Sequence, residues 1–160
     1  HSPERRRAHA KTADRLLPEW RMGDTPFTSG IVNRSTTLAY HRDAGNVKGG
    51  WSAMVVLRRG VTGGELVLPE LGVALACADG AVVLFNGQGL LHGVAPISST
   101  PGGARFSVVY YALASVWHCL THEGELERIR GLRTEREGRD RKFKIVHPHL
   151  WVAPEWAPRT

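Results

Sequence analysis

The sequence predicts a mainly β domain, a sandwich or barrel for which the double-sheet jelly roll is the natural candidate, and three observations carry that expectation. Short runs rich in β-branched and aromatic residues follow one another from Ile31 to Leu113: IVNRSTTLAYH, WSAMVVLRR, GELVLP, VALACA, AVVLFN and RFSVVYYAL. Glycine-containing turns separate them at the spacing of a strand-rich fold. Composition is ordinary for a globular chain, 42% hydrophobic and 22% charged, and 160 residues make one domain with room for a core.

The flanks read differently from the middle. Ser2-Pro3-Glu4 fits N-cap, N1 and N2 of a helix running to about Leu17, where Pro18 stops it. Its face carries Arg5, Arg6, Arg7 and Lys11, and MGDTPFTSG then reads as loop. Residues 1–26 are thus expected to be a basic helix and loop, 27–113 the β core, and 114–160 a charged extension packing on or beside it. In that extension, EGELERIRGLRTEREGRDRKFKIV places Glu first and Arg/Lys last, as a helix dipole prefers. Gly131 and Gly138 weaken it as one continuous helix. His147 and His149 beyond it read as structural.

The first long run has an informative parity. Asn33, Ser35, Thr37, Ala39 and His41 would share one strand face, small and polar, as suits a ligand-holding lumen. The alternative, that this face meets solvent and the Val32, Leu38 and Tyr40 side is the core, is equally compatible with the pattern.

Charge and cysteine use bound the setting. A formal net charge of +6 and a pI near 9.9 favour a polyanionic partner, nucleic acid first. Cys77 and Cys119 lack disulfide or zinc spacing and read as thiols of an intracellular, reducing compartment, the nucleus or the cytoplasm of a bacterial or phage-infected cell. No apolar run approaches the eighteen or so residues of a membrane span, so no membrane partner is expected. Oligomeric state is not legible.

The chemistry concentrates in AYHRDAGNVKGG, residues 39–50. His41 and Asp43 stand one residue apart at a strand end, where alternation would aim both at one spot. Two imidazoles and a carboxylate on one face leave a metal open positions for substrates, and His92 in LFNGQGLLHGVAP, just after a strand and in a glycine-rich turn, can complete the set. Arg105 then opens RFSVVYYAL, with Ser107 on its face. An arginine in so apolar a strand needs an anionic partner, and a guanidinium beside a hydroxyl suits a carboxylate.

That combination resembles the 2-oxoglutarate- and Fe(II)-dependent dioxygenases of the double-stranded β-helix (jelly roll, cupin-like) fold. More narrowly, HRDAGN…GG…AMVVLRRG…GGELVLP…LHGVAPI…ARFSVVYYAL resembles the TET/JBP branch, oxidases of methylated pyrimidines in nucleic acid, over roughly residues 27–113. The resemblance implies that His41, Asp43 and His92 ligate Fe(II). Arg105, supported by Ser107 and by Asn33, would bind 2-oxoglutarate. Asn46 would hydrogen-bond a flipped base and Tyr111 would stack beside it, while Arg58 and Arg59 would grip phosphates or sit in a solvated hairpin. Where animal members place a base-reading histidine after the arginine strand, this chain has Leu113, so base discrimination is expected to differ. The implied reaction is hydroxylation of a methyl group, with O2 as co-substrate, most directly 5-methylcytosine to 5-hydroxymethylcytosine in DNA. Thymine hydroxylation, glyceryl transfer from ascorbate, the same iron chemistry on a small molecule, and an inactive nucleic-acid-binding jelly roll are the rival readings.

Overall fold

A computed structural model describes residues 3–146. His147, His149 and Ser2, all assigned roles above, lie outside the described residues. The chain divides into two compact units, one ending at His118 and one beginning at Cys119.

The first unit is a pair of four-stranded antiparallel sheets. Its elements are helix α1 (Pro3–Ala13), β1 (Ser29–Arg34), β2 (Leu38–His41), β3 (Ser52–Gly63), β4 (Leu66–Leu68), β5 (Val73–Leu75), β6 (Ala81–Phe85), β7 (His92–Val94) and β8 (Ile97–Tyr111). One sheet runs β1-β8-β3-β6 and the other β2-β7-β4-β5. That is the jelly-roll expectation met. Met54 and Val56 of the first sheet and Leu66 and Leu68 of the second join Cys77 and Phe85 in one buried cluster, so the two inner faces make the core.

Register fixes which side chains face inward. Val56 is 0% exposed and pairs with Ser107. Strand alternation therefore turns Met54, Val56 and Arg58 inward from β3, and Arg105, Ser107, Val109 and Tyr111 inward from β8. The opposite face carries a cross-strand row, Val32–Val108–Val55–Val82. Val32 and Val82 at its ends are 64% and 63% exposed.

Three expectations need correcting. IVNRSTTLAYH is not one strand: the chain breaks at Ser35, which adopts a left-handed φ of 47°, and passes from one sheet to the other between β1 and β2. Parity therefore does not run from Asn33 to His41, and Val32 and Tyr40, the alternative core side, are exposed. His92 does not sit in a turn; it begins β7, a strand of its own. Gly131 and Gly138 do not interrupt the second unit, whose helix α2 is continuous from His122 to Val146. Its first turn is held by Glu125, which accepts from the Leu120 amide and from Arg128. No helix among the described residues is long and apolar enough to cross a membrane.

Candidate metal centre

His41 ends β2, His92 begins β7, and the ladder between these strands makes them direct partners. Their rings lie 4.3 Å apart. Each Nδ1 lies 2.9 Å from the carbonyl two residues earlier, that of Ala39 for His41 and that of Leu90 for His92. A carbonyl can only accept, so both Nδ1 atoms carry the proton and both Nε2 atoms keep a free lone pair. Those Nε2 atoms converge on one oxygen of Asp43, at 3.5 Å from His41 and 3.7 Å from His92. Ligand atoms of the three residues all lie within 4.8 Å of one another. Such a two-histidine, one-carboxylate set is the donor chemistry of an iron(II) centre with positions left open.

Asp43 reaches this place by loop geometry more than by strand alternation, since β2 has already ended at His41. Its amide donates to the Gly87 carbonyl at 3.0 Å. Its Oδ2 accepts from Asn46 Nδ2 at 3.1 Å, which leaves Oδ1 to face the histidines. The same Asn46 amide lies 3.3 Å from Ser52 Oγ. Gly87 backs the carboxylate so closely that a Cβ there would collide with Asp43 Oδ2 and push the carboxylate from its place. On the other flank, Phe85 meets His92 edge-on at 5.0 Å and His92 is 6% exposed. The His41 side chain is 41% exposed, so the cluster opens on its side.

Arg42, between the two ligands, ties their loops together. Its guanidinium donates to the Gly89 carbonyl and, at 2.6 Å, to Glu70 Oε1, while Glu70 Oε2 accepts the Leu91 amide at 2.9 Å. The segment entering His92 is thus clasped to the segment leaving His41. The Leu91 amide first, and then Arg42, hold the Glu70 carboxyl below its usual range. A depressed carboxylate stabilises the folded state above its unfolded pKa, about 4.3, and this is lost as pH falls through the lower folded value. Glu70→Gln should therefore weaken metal binding at neutral pH, by about tenfold for a supporting residue of this kind, without removing a ligand. Titrating iron into parent and variant checks this; equal affinities would leave the clasp without a role at the centre.

On β8, Arg105 is 1% exposed, and its Nε and Nη2 have no hydrogen-bond partner. Burial pulls its pKa below the usual guanidinium value. Its backbone is pinned by Ser35, whose amide donates to the Arg105 carbonyl at 2.6 Å and whose Oγ accepts the Arg105 amide at 3.2 Å. Gly64, at φ 74°, leaves the space that the Arg105 side chain fills. A buried cation with idle donors is costly unless an anion joins it. These residues fit Fe(II) and a 2-oxo dicarboxylate: a histidine–carboxylate cluster for the first and an unpaired buried arginine for the second.

The remaining sequence-assigned residues fall out unevenly. Ser107 and Asn33 are paired across β8 and β1, two positions along from Arg105 on β8. Tyr111 faces inward, and the register pairing Ala53 with Tyr110 sets it alongside Ser52. Asn46 spends its amide on Asp43, so what it can offer a base is its oxygen. Arg58 is turned inward and its guanidinium holds the carbonyls of Cys77 and Val61 at 3.1 and 2.9 Å; this is a fold-bracing role and not a phosphate grip. Arg59 alternates to the exposed outer face opposite Ala104, away from the metal cluster. Ser52, Glu70, Gly64 and Gly87 escaped the sequence reading, because each acts through a partner that only the fold brings near.

Comparisons with known proteins agree with this geometry. Residues 7–114 match the family Tet_JBP, described as the oxygenase domain of the 2OGFeDO superfamily. The bifunctional helicase and thymine dioxygenase JBP2 of Trypanosoma brucei brucei is 32% identical over 121 residues, 75% of this chain and 11% of that protein. The thymine dioxygenase JBP1 of Trypanosoma brucei brucei is 29% identical over 112 residues, 68% of this chain and 13% of that protein. The chain thus spans only a small part of the curated relatives it matches. Among solved structures, NgTET1 in complex with 5mC DNA superposes with a TM-score of 0.60 at 19% identity, over 76% of this chain and 49% of that one. At that identity the likeness is one of fold.

Proposed function

The chain belongs to the Tet_JBP family of oxygenase domains of the 2OGFeDO superfamily, and we propose that it hydroxylates the 5-methyl group of a pyrimidine in DNA, using Fe(II), 2-oxoglutarate and O2. The observation that carries the reading is the His41–Asp43–His92 cluster in a fold that also buries an arginine with two idle donors. His41, Asp43 and His92 would hold the iron through both Nε2 atoms and Asp43 Oδ1. Arg105, with Ser107 and Asn33 beside it, would hold the far carboxylate of the co-substrate. When bound, iron and 2-oxoglutarate with O2 supply the oxidising power that a methyl C–H bond requires.

The protein's own share is alignment and exclusion. Phe85 walls the cluster on the His92 side, so water is kept from that flank. The open side, at His41, is where a substrate enters. A methyl group inside a duplex is out of reach, so the base must be flipped, at a few kcal/mol. The Asn46 oxygen and the inward Tyr111 would offset that cost. A net charge of +6 supports attraction to the phosphate backbone.

Two bases compete. The sequence resemblance suggested 5-methylcytosine as substrate; the names of the relatives similar in sequence favour thymine. Nucleoside mass spectrometry after incubation with Fe(II) and 2-oxoglutarate separates them, using methylated and unmethylated duplexes side by side. 5-Hydroxymethylcytosine from the methylated duplex alone is the first reading, and 5-hydroxymethyluracil from either duplex is the second. A glyceryl adduct formed with ascorbate would replace both, and no altered nucleoside in any duplex would overturn the proposal.

A further inference from the structure

Beside the metal loop lies a cavity of about 480 Å³ lined by Lys11, Arg15, Val47, Lys48, Ala114 and Trp117. Three of those six side chains are cations and none is acidic. Elsewhere in the described residues arginines lean on carboxylates: Arg42 on Glu70, Arg128 on Glu125, Arg133 on Glu137. Lys11, Arg15 and Lys48 have no ion-pair partner among the described residues.

We infer that this cavity takes a backbone phosphate of the DNA strand that carries the target base; the inference rests on the DNA reading above. Two structural facts place the cations where a phosphate would pass. First, Lys11 lies in the last turn of α1 and Arg15 just past its end at Ala13, where the Asp14 amide still donates to the Ala10 carbonyl at 2.9 Å. Both side chains line the same cavity, and the segment is anchored by Ala13 and Leu16, 5% and 4% exposed. Second, Lys48 is carried by the loop that supplies the metal ligand. The Val47 amide donates to the Ala112 carbonyl at 2.8 Å, the Ala114 amide donates to the Gly45 carbonyl at 3.0 Å, and Asn46 bridges Leu113. This small ladder turns Asn46 toward Asp43 while Val47 and Lys48 line the cavity.

Distance makes the two sites compatible with one strand. Asp43 and Val47 are four residues apart, at most about 14 Å of chain. A duplex advances about 3.4 Å per nucleotide along each strand, so the cavity lies within about four nucleotides of a base held at the metal. Trp117 adds an aromatic wall of the kind on which a neighbouring base or sugar can rest. Contacts of this type position a strand and carry no sequence information.

The test compares parent protein with Lys48→Gln, Arg15→Gln and the double variant, reading duplex affinity against salt concentration by fluorescence anisotropy. Thermal midpoint and iron binding establish that each variant is folded. Each phosphate contact removed should flatten the slope of log affinity against log salt by about 0.9, so the double variant should lose about twice that. The loss should be equal for methylated and unmethylated duplexes. An unchanged slope in the double variant, with the parent binding duplex, overturns this inference and leaves the DNA reading standing. A loss confined to the methylated duplex also overturns it, by making the cavity a base reader. Inorganic phosphate that binds the parent but not the double variant, with the duplex slope unchanged, would assign the cavity to a free anion instead. A parent that neither binds nor alters duplex DNA brings down the DNA reading itself.

Discussion

Asp43→Ala is expected to leave a folded protein that no longer retains iron. The carboxylate is the hub of the centre, because both histidine Nε2 atoms converge on its Oδ1. Removing it leaves two imidazoles and no anionic donor, too few ligands to retain the ion. None of the three ligands belongs to the buried core cluster, so the fold should persist. Asp43→Ala is a cleaner test than His92→Ala, since His92 is buried against Phe85 and its loss opens a cavity. Asn46→Ala should fall between parent and ligand variant: it withdraws the hydrogen bond that orients Asp43, a change that typically costs ten- to a hundred-fold in metal affinity. Anaerobic iron titration followed by thermal unfolding reads the series. A ligand present at a hundred times its dissociation constant stabilises by about 2.7 kcal/mol, so the parent's midpoint should rise with iron and that of Asp43→Ala should stay put. Near-stoichiometric iron in Asp43→Ala would remove that residue from the centre.

The residues of this centre were legible because they lie in short local patterns at strand ends. His41 and Asp43 stand one residue apart where β2 ends, His92 sits in a glycine-rich surrounding, and Arg105 heads an apolar run that would otherwise need no cation. What supports them was not legible. Glu70 reaches Arg42 across 28 positions of sequence, and nothing near Glu70 announces that partner. Strand ends were misjudged for physical reasons as well. Thr-rich sequence hides the left-handed kink at Ser35. The last strand run begins at Arg105 in the sequence, yet β8 starts at Ile97, and its first part continues the pairing with β3 beyond an irregularity at Gly60, Ser99 opposite Val61 and Ile97 opposite Gly63. AMVVL and SVVYY are apolar on both faces, so alternation could not say which face was inside. The exposed valine row on the outer face is the other half of that ambiguity.

Replacing Arg105 by methionine should move stability and co-substrate binding in opposite directions. Methionine keeps much of the length and apolar volume of the arginine stem but removes a charge that is 1% exposed and lacks partners on two nitrogens. Replacing buried ionic groups with well-packed apolar residues is often stabilising by about 1–4 kcal/mol, so without co-substrate Arg105→Met should unfold at a higher denaturant concentration than the parent. Added 2-oxoglutarate should then stabilise the parent and leave the variant unmoved, because the far carboxylate has lost its guanidinium. Arg105→Lys separates charge from geometry: it keeps the cation but forfeits the planar fork, so it should bind 2-oxoglutarate weakly and gain no stability. Denaturant midpoints of the three proteins with and without 2-oxoglutarate, metal held constant, give these comparisons in one experiment. If 2-oxoglutarate stabilises Arg105→Met as much as the parent, the co-substrate is held elsewhere. If Arg105→Met is instead less stable without co-substrate, the buried guanidinium is satisfied within the fold, and its idle donors do not mark an anion site.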